Sequence, residues 1–153
     1  MIIGDSSALI SLAVMDRLAL LEEIFDEIYV PQAVYDEVCI ETKSQSLKLK
    51  LFLENKVKKV HLDITKIGLG QGELEAIILY QSSNADFLLI DDRRAKSFAK
   101  LNGINVIGSL GVILLAKEKG LIASVRDDFE KLLDSNLFIS ENLINKILVE
   151  VGE

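Results

Sequence analysis

The sequence has few of the residues on which several common kinds of site depend. It contains one cysteine, Cys39, and one histidine, His61, with no tryptophan and a single proline. One cysteine cannot form an internal disulfide, and the Cys/His spacing of a zinc site is absent. If the chain is a hydrolase, its catalytic groups must therefore be mainly carboxylates.

Long hydrophobic runs are also lacking. The longest unbroken apolar runs, such as residues 77–80 and 112–116, contain four or five residues, whereas a helix that spans a bilayer needs roughly 20. The N-terminus has no basic region followed by an apolar stretch, as a signal peptide would. Half of the 153 residues are hydrophobic, enough for the core of one domain. We expect a cytoplasmic protein that makes no membrane contact.

The charge is unevenly distributed along the chain. The net charge is −7, and residues 1–42 contain one basic and nine acidic residues. Residues 43–66, in contrast, contain seven lysines and two acidic residues. Such a lysine-rich segment is either a solvated helix surface or a local binding surface for phosphates.

Short apolar runs alternate with helical patterns along the sequence. We predict strands at residues 1–4, 28–30, 57–62, 87–90 and 104–107. We predict helices at residues 6–14, 16–26, 31–41, 44–54, 72–82, 92–102, 109–119, 123–134 and 140–150. This alternation is typical of an α/β fold with a mainly parallel sheet, in which ligands bind beyond the carboxyl ends of the strands.

Aspartates follow two of the predicted strands directly. Asp5 follows the first strand, and Asp91 and Asp92 follow the strand at 87–90. Each of them could simply cap the next helix, which Ser6 or Ser7 could also do after the first strand. Together, however, they would lie at the same edge of a parallel sheet.

Glutamates on two predicted helices are further candidates. Glu37 falls about 60° from Val34 on a helical wheel, on the side of the apolar face. A glutamate there needs an ion pair, a proton or a metal ion. Glu73 and Glu75 flank the apolar face of the helix at 72–82 from opposite sides, and their spacing does not choose between them.

Several carboxylates at one sheet edge repel one another unless divalent cations neutralise them. Hard oxygen ligands without histidine or cysteine favour Mg²⁺ or Mn²⁺ over zinc. Such sites commonly activate water for attack on a phosphate ester. The residues therefore indicate a metal-dependent hydrolase of phosphate esters. A phosphatase of the haloacid dehalogenase type is a weaker alternative, because it needs a second aspartate where Ser7 stands.

At these residues the chain resembles a PIN-domain protein of the VapC type, the toxin of a toxin–antitoxin pair. The resemblance covers about residues 1–122 and rests on the segments IIGDSSALISL, YVPQAVYDEV, GLGQGELEAIILY and FLLIDDRRAKSFAKLNGINVIGSLGVILLAKEKGLI. It is strongest to a prokaryotic subgroup known mostly from sequence. Residues 123–153 resemble the helical tail of that subgroup, packed on the same domain.

The resemblance implies a three-layer α/β/α sandwich that cleaves single-stranded RNA with Mg²⁺ or Mn²⁺. By position, it assigns Asp5, Glu37, Glu73 and Asp92 as catalytic metal ligands. Asp91 is a second choice for the metal, and Ser7 is the hydroxyl that assists Asp5.

Substrate and protein partners follow from the same resemblance. RNA would meet local basic patches, with Arg93, Arg94 and Lys96 as candidates beside the lysines of residues 43–59. Arg93 and Arg94 could equally be structural partners of Asp91 or Asp86. A cognate antitoxin and a homodimer are expected partners, and the two N-terminal helices could supply part of such an interface in addition to packing the core.

The chain departs from the family pattern at position 73, where it has a glutamate and many members have an aspartate. The alternative to a nuclease is a catalytically inactive PIN fold that binds another protein.

Overall fold

The computed structural model describes residues 1–60 and 69–153. In these ranges five parallel strands form one sheet in the order β3-β2-β1-β4-β5. The strands are β1 (Ile2–Gly4), β2 (Ile28–Pro31), β3 (Val57–Lys58), β4 (Phe87–Leu89) and β5 (Val106–Ile107). The prediction of an α/β fold with a parallel sheet is therefore confirmed.

Helices connect the strands and follow the last of them. They are α1 (Ser6–Val14), α2 (Leu20–Ile24), α3 (Gln32–Val38), α4 (Ser46–Phe52), α5 (Gln71–Ser83), α6 (Arg93–Leu101), α7 (Ser109–Glu118), α8 (Arg126–Leu133) and α9 (Glu141–Glu150). In the described ranges, every helix is too short or too polar to cross a bilayer.

Most predicted elements are observed with ends that differ by up to three residues, and two elements differ more. The helix predicted at 16–26 is reduced to α2, because Asp16 adopts a φ of 60° and this left-handed conformation separates α2 from α1. The strand predicted at 57–62 is observed at Val57–Lys58. Residues 59 and 60 are not part of a strand, and His61 and Leu62 lie outside the described residues. Gly68, the first residue of the segment GLGQGELEAIILY, also lies outside them.

Two apolar cores cover the two faces of the sheet. Neighbouring residues of a strand point to opposite faces, so Ile2 and Ile3 of β1, both fully buried, enter different cores. The core that contains Ile2 includes residues of α1, α3, α4, α7, α8 and α9, whereas the core that contains Ile3 includes residues of α5 and α6. Helix layers on both faces confirm the three-layer α/β/α sandwich.

The last two helices share the first of these cores. Phe129 of α8 and Ile144 of α9 are buried there. A partly buried ion pair also joins α8 to the segment that follows α1: the Arg17 Nε donates to both carboxylate oxygens of Asp128 at 3.0 Å. Asp128 is 1% exposed, but the Arg17 side chain is 36% exposed, so only the carboxylate depends on its partner for solvation.

This asymmetry predicts the cost of breaking the pair. Arg17→Met leaves the buried Asp128 carboxylate unpaired, and we expect the free energy of unfolding to fall by about 3 kcal/mol. The double variant Arg17→Met/Asp128→Leu also removes the unpaired carboxylate, so it should recover most of the lost free energy of unfolding. Urea unfolding of both variants measures the effect; equal losses in the two would contradict it.

A second polar contact fixes the start of α8. The side chain of Val125, which precedes this helix, cannot cap it. Instead, the Glu153 carboxylate accepts bonds from the Ser124 hydroxyl at 2.7 Å and from the N–H groups of Val125 and Arg126 at 3.1 Å. The Lys117 ammonium contributes most, followed by these donors, to lowering the pKa of Glu153 from 4.5 to about 2.

This lowered pKa predicts how stability depends on pH. A carboxylate with a folded-state pKa below its unfolded value stabilises the fold above that unfolded value, and the contribution is lost as the pH falls towards the folded value. The wild type should therefore melt at a higher temperature than Glu153→Gln at pH 7. The difference should shrink between pH 4.5 and about 2. Melting curves across this range test it, and a difference independent of pH would contradict it.

Candidate functional site

The candidate site lies where the order of the strands reverses. β1 pairs with β2 on one side and with β4 on the other, and ligands of open parallel sheets bind beyond the strand ends at such a point. The Asp5 N–H donates to the carbonyl of Leu89 at 2.9 Å. This bond places Asp5 beside the end of β4, where Asp91 and Asp92 follow.

Asp5 is a buried carboxylate with one oxygen unused. It is 1% exposed, and its Oδ2 accepts bonds from the N–H of Ser7 at 3.1 Å and from the Ser7 hydroxyl at 2.6 Å. Its Oδ1 is buried without a hydrogen-bond partner in the part of the chain that the structure describes. Burial, with a smaller contribution from the charge of Glu73, raises the pKa of Asp5 to about 6.

The Ser7 hydroxyl connects the ends of the two strands. It donates to Asp5 and accepts from the N–H groups of Asp91 and Asp92, at 2.9 and 3.2 Å. Asp5, rather than Ser6 or Ser7, caps α1, because its carboxylate faces the N–H of Ser7. Ser7 is therefore placed where the resemblance expects a hydroxyl that assists Asp5.

The two aspartates after β4 have different surroundings. Asp92 is exposed and caps α6, its Oδ1 accepting from the N–H of Ala95 at 2.8 Å. Both oxygens of Asp91 are occupied by Ser109, which donates from its N–H at 2.8 Å and from its hydroxyl at 2.6 Å. Asp91 therefore links β4 to the start of α7, which leaves Asp92 as the freer carboxylate.

Glu37 and Glu73 approach the site from α3 and α5. A Cβ added at Gly72 would lie 3.2 Å from both Glu37 Oε2 and Val34 Cγ2, so the Glu37 carboxylate reaches the helix turn that carries Glu73. The expectation that Glu37 lies on the apolar side was wrong in one respect, because its side chain is exposed. Glu37 lies at the edge of the contact between the C-terminal end of α3 and the N-terminal end of α5.

Glu73 and Glu75 are distinguished by their bonds. The Glu73 Oε2 accepts from the N–H of Gly70 at 2.8 Å, and its charge acts on Asp5. Glu75 is 6% exposed, and its Oε2 accepts from the N–H of Ala33 at 3.1 Å. The spacing of residues in the sequence did not distinguish Glu73 from Glu75. No signal in the sequence predicted that Glu75 is buried and bonded to α3.

The residues at this edge suit a hard divalent cation. Within residues 1–60 and 69–153, no three Asp, Glu, His or Cys side chains converge closely enough to hold one ion as they stand. Two observations nevertheless fit a cation: the unpartnered buried oxygen of Asp5 and the charge of Glu73 acting on it. All the donors are oxygens, which match Mg²⁺ or Mn²⁺.

Basic residues begin directly after Asp92. Arg93 and Arg94 are exposed in the first turn of α6, and Lys96 is partly buried. A Cβ added at Gly108 would lie 2.8 Å from Lys96 Nζ and 2.7 Å from Asp91 Oδ1. Lys96 thus reaches the carboxyl end of the sheet, whereas the two arginines extend its positive charge along the surface.

The lysines of residues 43–66 are largely engaged within the protein. At least four of the seven make contacts within the protein, and of these four only Lys48 lies on a helix, α4. The partners are the Glu37 carbonyl for Lys43, Asp16 for Lys48, Glu22 for Lys56 and the Tyr29 ring for Lys58.

The bonds of Ser7 predict the effect of removing its hydroxyl. Ser7→Ala leaves the partly buried N–H of Asp91 and the exposed N–H of Asp92 without their acceptor and takes one donor from Asp5. We expect a loss of about 1–3 kcal/mol in the free energy of unfolding and a further rise in the pKa of Asp5. Urea unfolding and carboxyl NMR titration measure these two effects.

Ser7→Thr keeps the hydroxyl, so it is the control and should resemble the wild type. A Ser7→Ala variant with the stability of the wild type would contradict the prediction.

Comparison with known proteins identifies the family. A family model described as DUF3368, PIN domain, matches residues 1–153. A search of curated proteins gives no match. The chain belongs to the PIN-domain family, whose members are typically nucleases that use divalent metal ions.

Proposed function

We propose that this protein is an endoribonuclease that hydrolyses phosphodiester bonds of single-stranded RNA with Mg²⁺ or Mn²⁺. The observation that carries the proposal is the Asp5 carboxylate, buried at the switch point of the sheet with Oδ1 unpartnered among the described residues. A buried carboxylate oxygen without a donor is costly, and a cation bound there would compensate this cost.

Four carboxylates would hold one or two cations directly or through water: Asp5, Glu37, Glu73 and Asp92. When bound, such a cation lowers the pKa of a coordinated water and stabilises the leaving oxygen of a phosphate ester. Ser7 keeps Oδ2 of Asp5 occupied, so that Oδ1 is the oxygen available to a ligand. Asp92 uses Oδ1 for the helix cap, and its exposed carboxylate can offer the other oxygen.

The basic residues of α6 would hold the substrate backbone. Arg93, Arg94 and Lys96 follow Asp92 directly, so a phosphate bound at the carboxylates would have cationic groups within the next helical turns. In a chain of net charge −7, such a local patch supplies the phosphate contacts that the overall charge does not. Single-stranded RNA is flexible enough to follow a narrow strip of charge.

A toxin role, with a cognate antitoxin and a homodimer in the cytoplasm, belongs to the same proposal. Its support is the resemblance to VapC-type toxins. The apolar side chains of the N-terminal helices are mainly core residues, since Leu12 and Leu21 are fully buried. Exposed apolar residues that a partner could cover are found on other elements, among them Leu47 and Leu51 of α4.

Isosteric amide substitutions test the nuclease proposal. Asp5→Asn keeps an N-cap side chain, as does Asp92→Asn, but each removes a negative charge from the site. We expect either substitution to lower the rate of Mn²⁺-dependent cleavage of a single-stranded RNA by about 100-fold or more. Cleavage is followed on a labelled RNA of mixed sequence, with EDTA addition as the blank.

Two neighbouring residues on α3 supply a matched control. Glu37 lies against Gly72, whereas Asp36 is exposed and accepts a bond from Gln32. Glu37→Gln should reduce cleavage, and Asp36→Asn should leave it unchanged. If the wild type is inactive towards RNA, or if all these variants cleave equally well, the protein is better described by the alternative, a PIN fold that binds a partner without catalysis. The absence of a converged three-ligand set among the described residues is the observation that favours this alternative.

A further inference from the structure

We propose that Glu75 is a positioning residue, which holds α3 against α5 and thereby sets Glu37 opposite Glu73. The inference rests on the proposed function, because it concerns two of the carboxylates assigned to the metal. Glu75 itself would touch neither the cation nor the RNA.

The start of α3 lacks a cap of its own. Its N-cap residue is Pro31, whose side chain has no hydrogen-bond acceptor. The N–H of Ala33, in the first turn, therefore needs an acceptor from elsewhere. Glu75 of α5 supplies it through Oε2 at 3.1 Å, so the two helices are joined by a bond between a buried carboxylate and a backbone group.

The rest of the Glu75 side chain is fixed as well. Its Oε1 accepts a bond from the Gln71 amide at 3.0 Å, one turn earlier on α5. With both oxygens engaged and 6% of its surface exposed, Glu75 could bind a cation only by giving up one of these two bonds. This distinguishes it from Glu73, whose charge acts on Asp5.

The contact fixed by Glu75 is a close one. Gly72 lies one turn before Glu75 and allows α5 to pack closely against α3. A Cβ added at Gly72 would lie 3.2 Å from both Val34 Cγ2 and Glu37 Oε2. A shift of α3 along α5 would therefore move the Glu37 carboxylate relative to Glu73. Glu75 lies in the same contact between α5 and α3, and its bond to the N–H of Ala33 resists that shift.

Two substitutions at Glu75 separate positioning from charge. Glu75→Met fills the space without an acceptor, and we expect it to weaken Mn²⁺ binding by about 10-fold or more, as loss of a supporting group around metal ligands commonly does. Glu75→Gln removes the charge but retains a carbonyl oxygen for the N–H of Ala33, and should bind Mn²⁺ within about 2-fold of the wild type. Calorimetric titration of the purified full chain with MnCl₂ measures both.

Asp128→Asn is the matched control for a buried carboxylate. Asp128 is as buried as Asp5 but lies on α8, where it pairs with Arg17. This variant should lose stability and keep the Mn²⁺ affinity of the wild type. The proposal is overturned if Glu75→Met binds Mn²⁺ like the wild type, or if Glu75→Gln binds as weakly as Glu75→Met. If Glu75→Met does not fold, the result for Glu75→Gln decides.

Hydrogen exchange gives a readout that needs no metal. Glu75→Met should speed amide exchange in α3 and leave α6 unchanged, whereas Asp128→Asn should leave α3 unchanged. A wild type that binds no Mn²⁺ would defeat the proposed function. Unchanged exchange in α3 of Glu75→Met would defeat the positioning role, so the two failures are distinguishable.

Discussion

The hydroxyl of Ser7 is the interaction on which the geometry of the carboxylate edge depends. It donates to Asp5 at the end of β1 and accepts from the N–H groups that follow β4. Parallel pairing brings the two strand ends together, but this one group fixes which oxygen of Asp5 is bonded. Ser7 occupies Oδ2, whereas the buried Oδ1 has no partner among the described residues, and the candidate metal site rests on that oxygen.

The carboxylates at this edge combine structural and chemical roles. Asp5 and Asp92 both cap helices. Capping is the simpler explanation for an aspartate that follows a strand, and metal binding is the other. Capping and metal binding are compatible, because a carboxylate has two oxygens and a cap requires one. Asp91 shows the contrasting case, in which Ser109 occupies both oxygens and the residue serves the fold.

Much of the fold could be predicted from the sequence, because alternating strands and helices leave strong local patterns. The positions of Asp5, Asp91 and Asp92 after strands were visible for the same reason. What could not be predicted depends on contacts between distant segments. Glu37 is exposed although it lies against Gly72 of α5, and Glu75 is buried where it accepts a bond from the N–H of Ala33 on α3. Neither fact is expressed in the spacing of residues along one helix.

The binding of Mn²⁺ to the wild type and to the double variant Asp5→Asn/Asp92→Asn tests the central claim most directly. Calorimetric titration near pH 7.5 would keep Asp5, with a pKa of about 6, mainly ionised in the wild type. If the carboxylate edge is a metal site, the wild type binds Mn²⁺ and the double variant does not. Equal binding by both proteins, or no binding by the wild type at millimolar metal, would contradict the account.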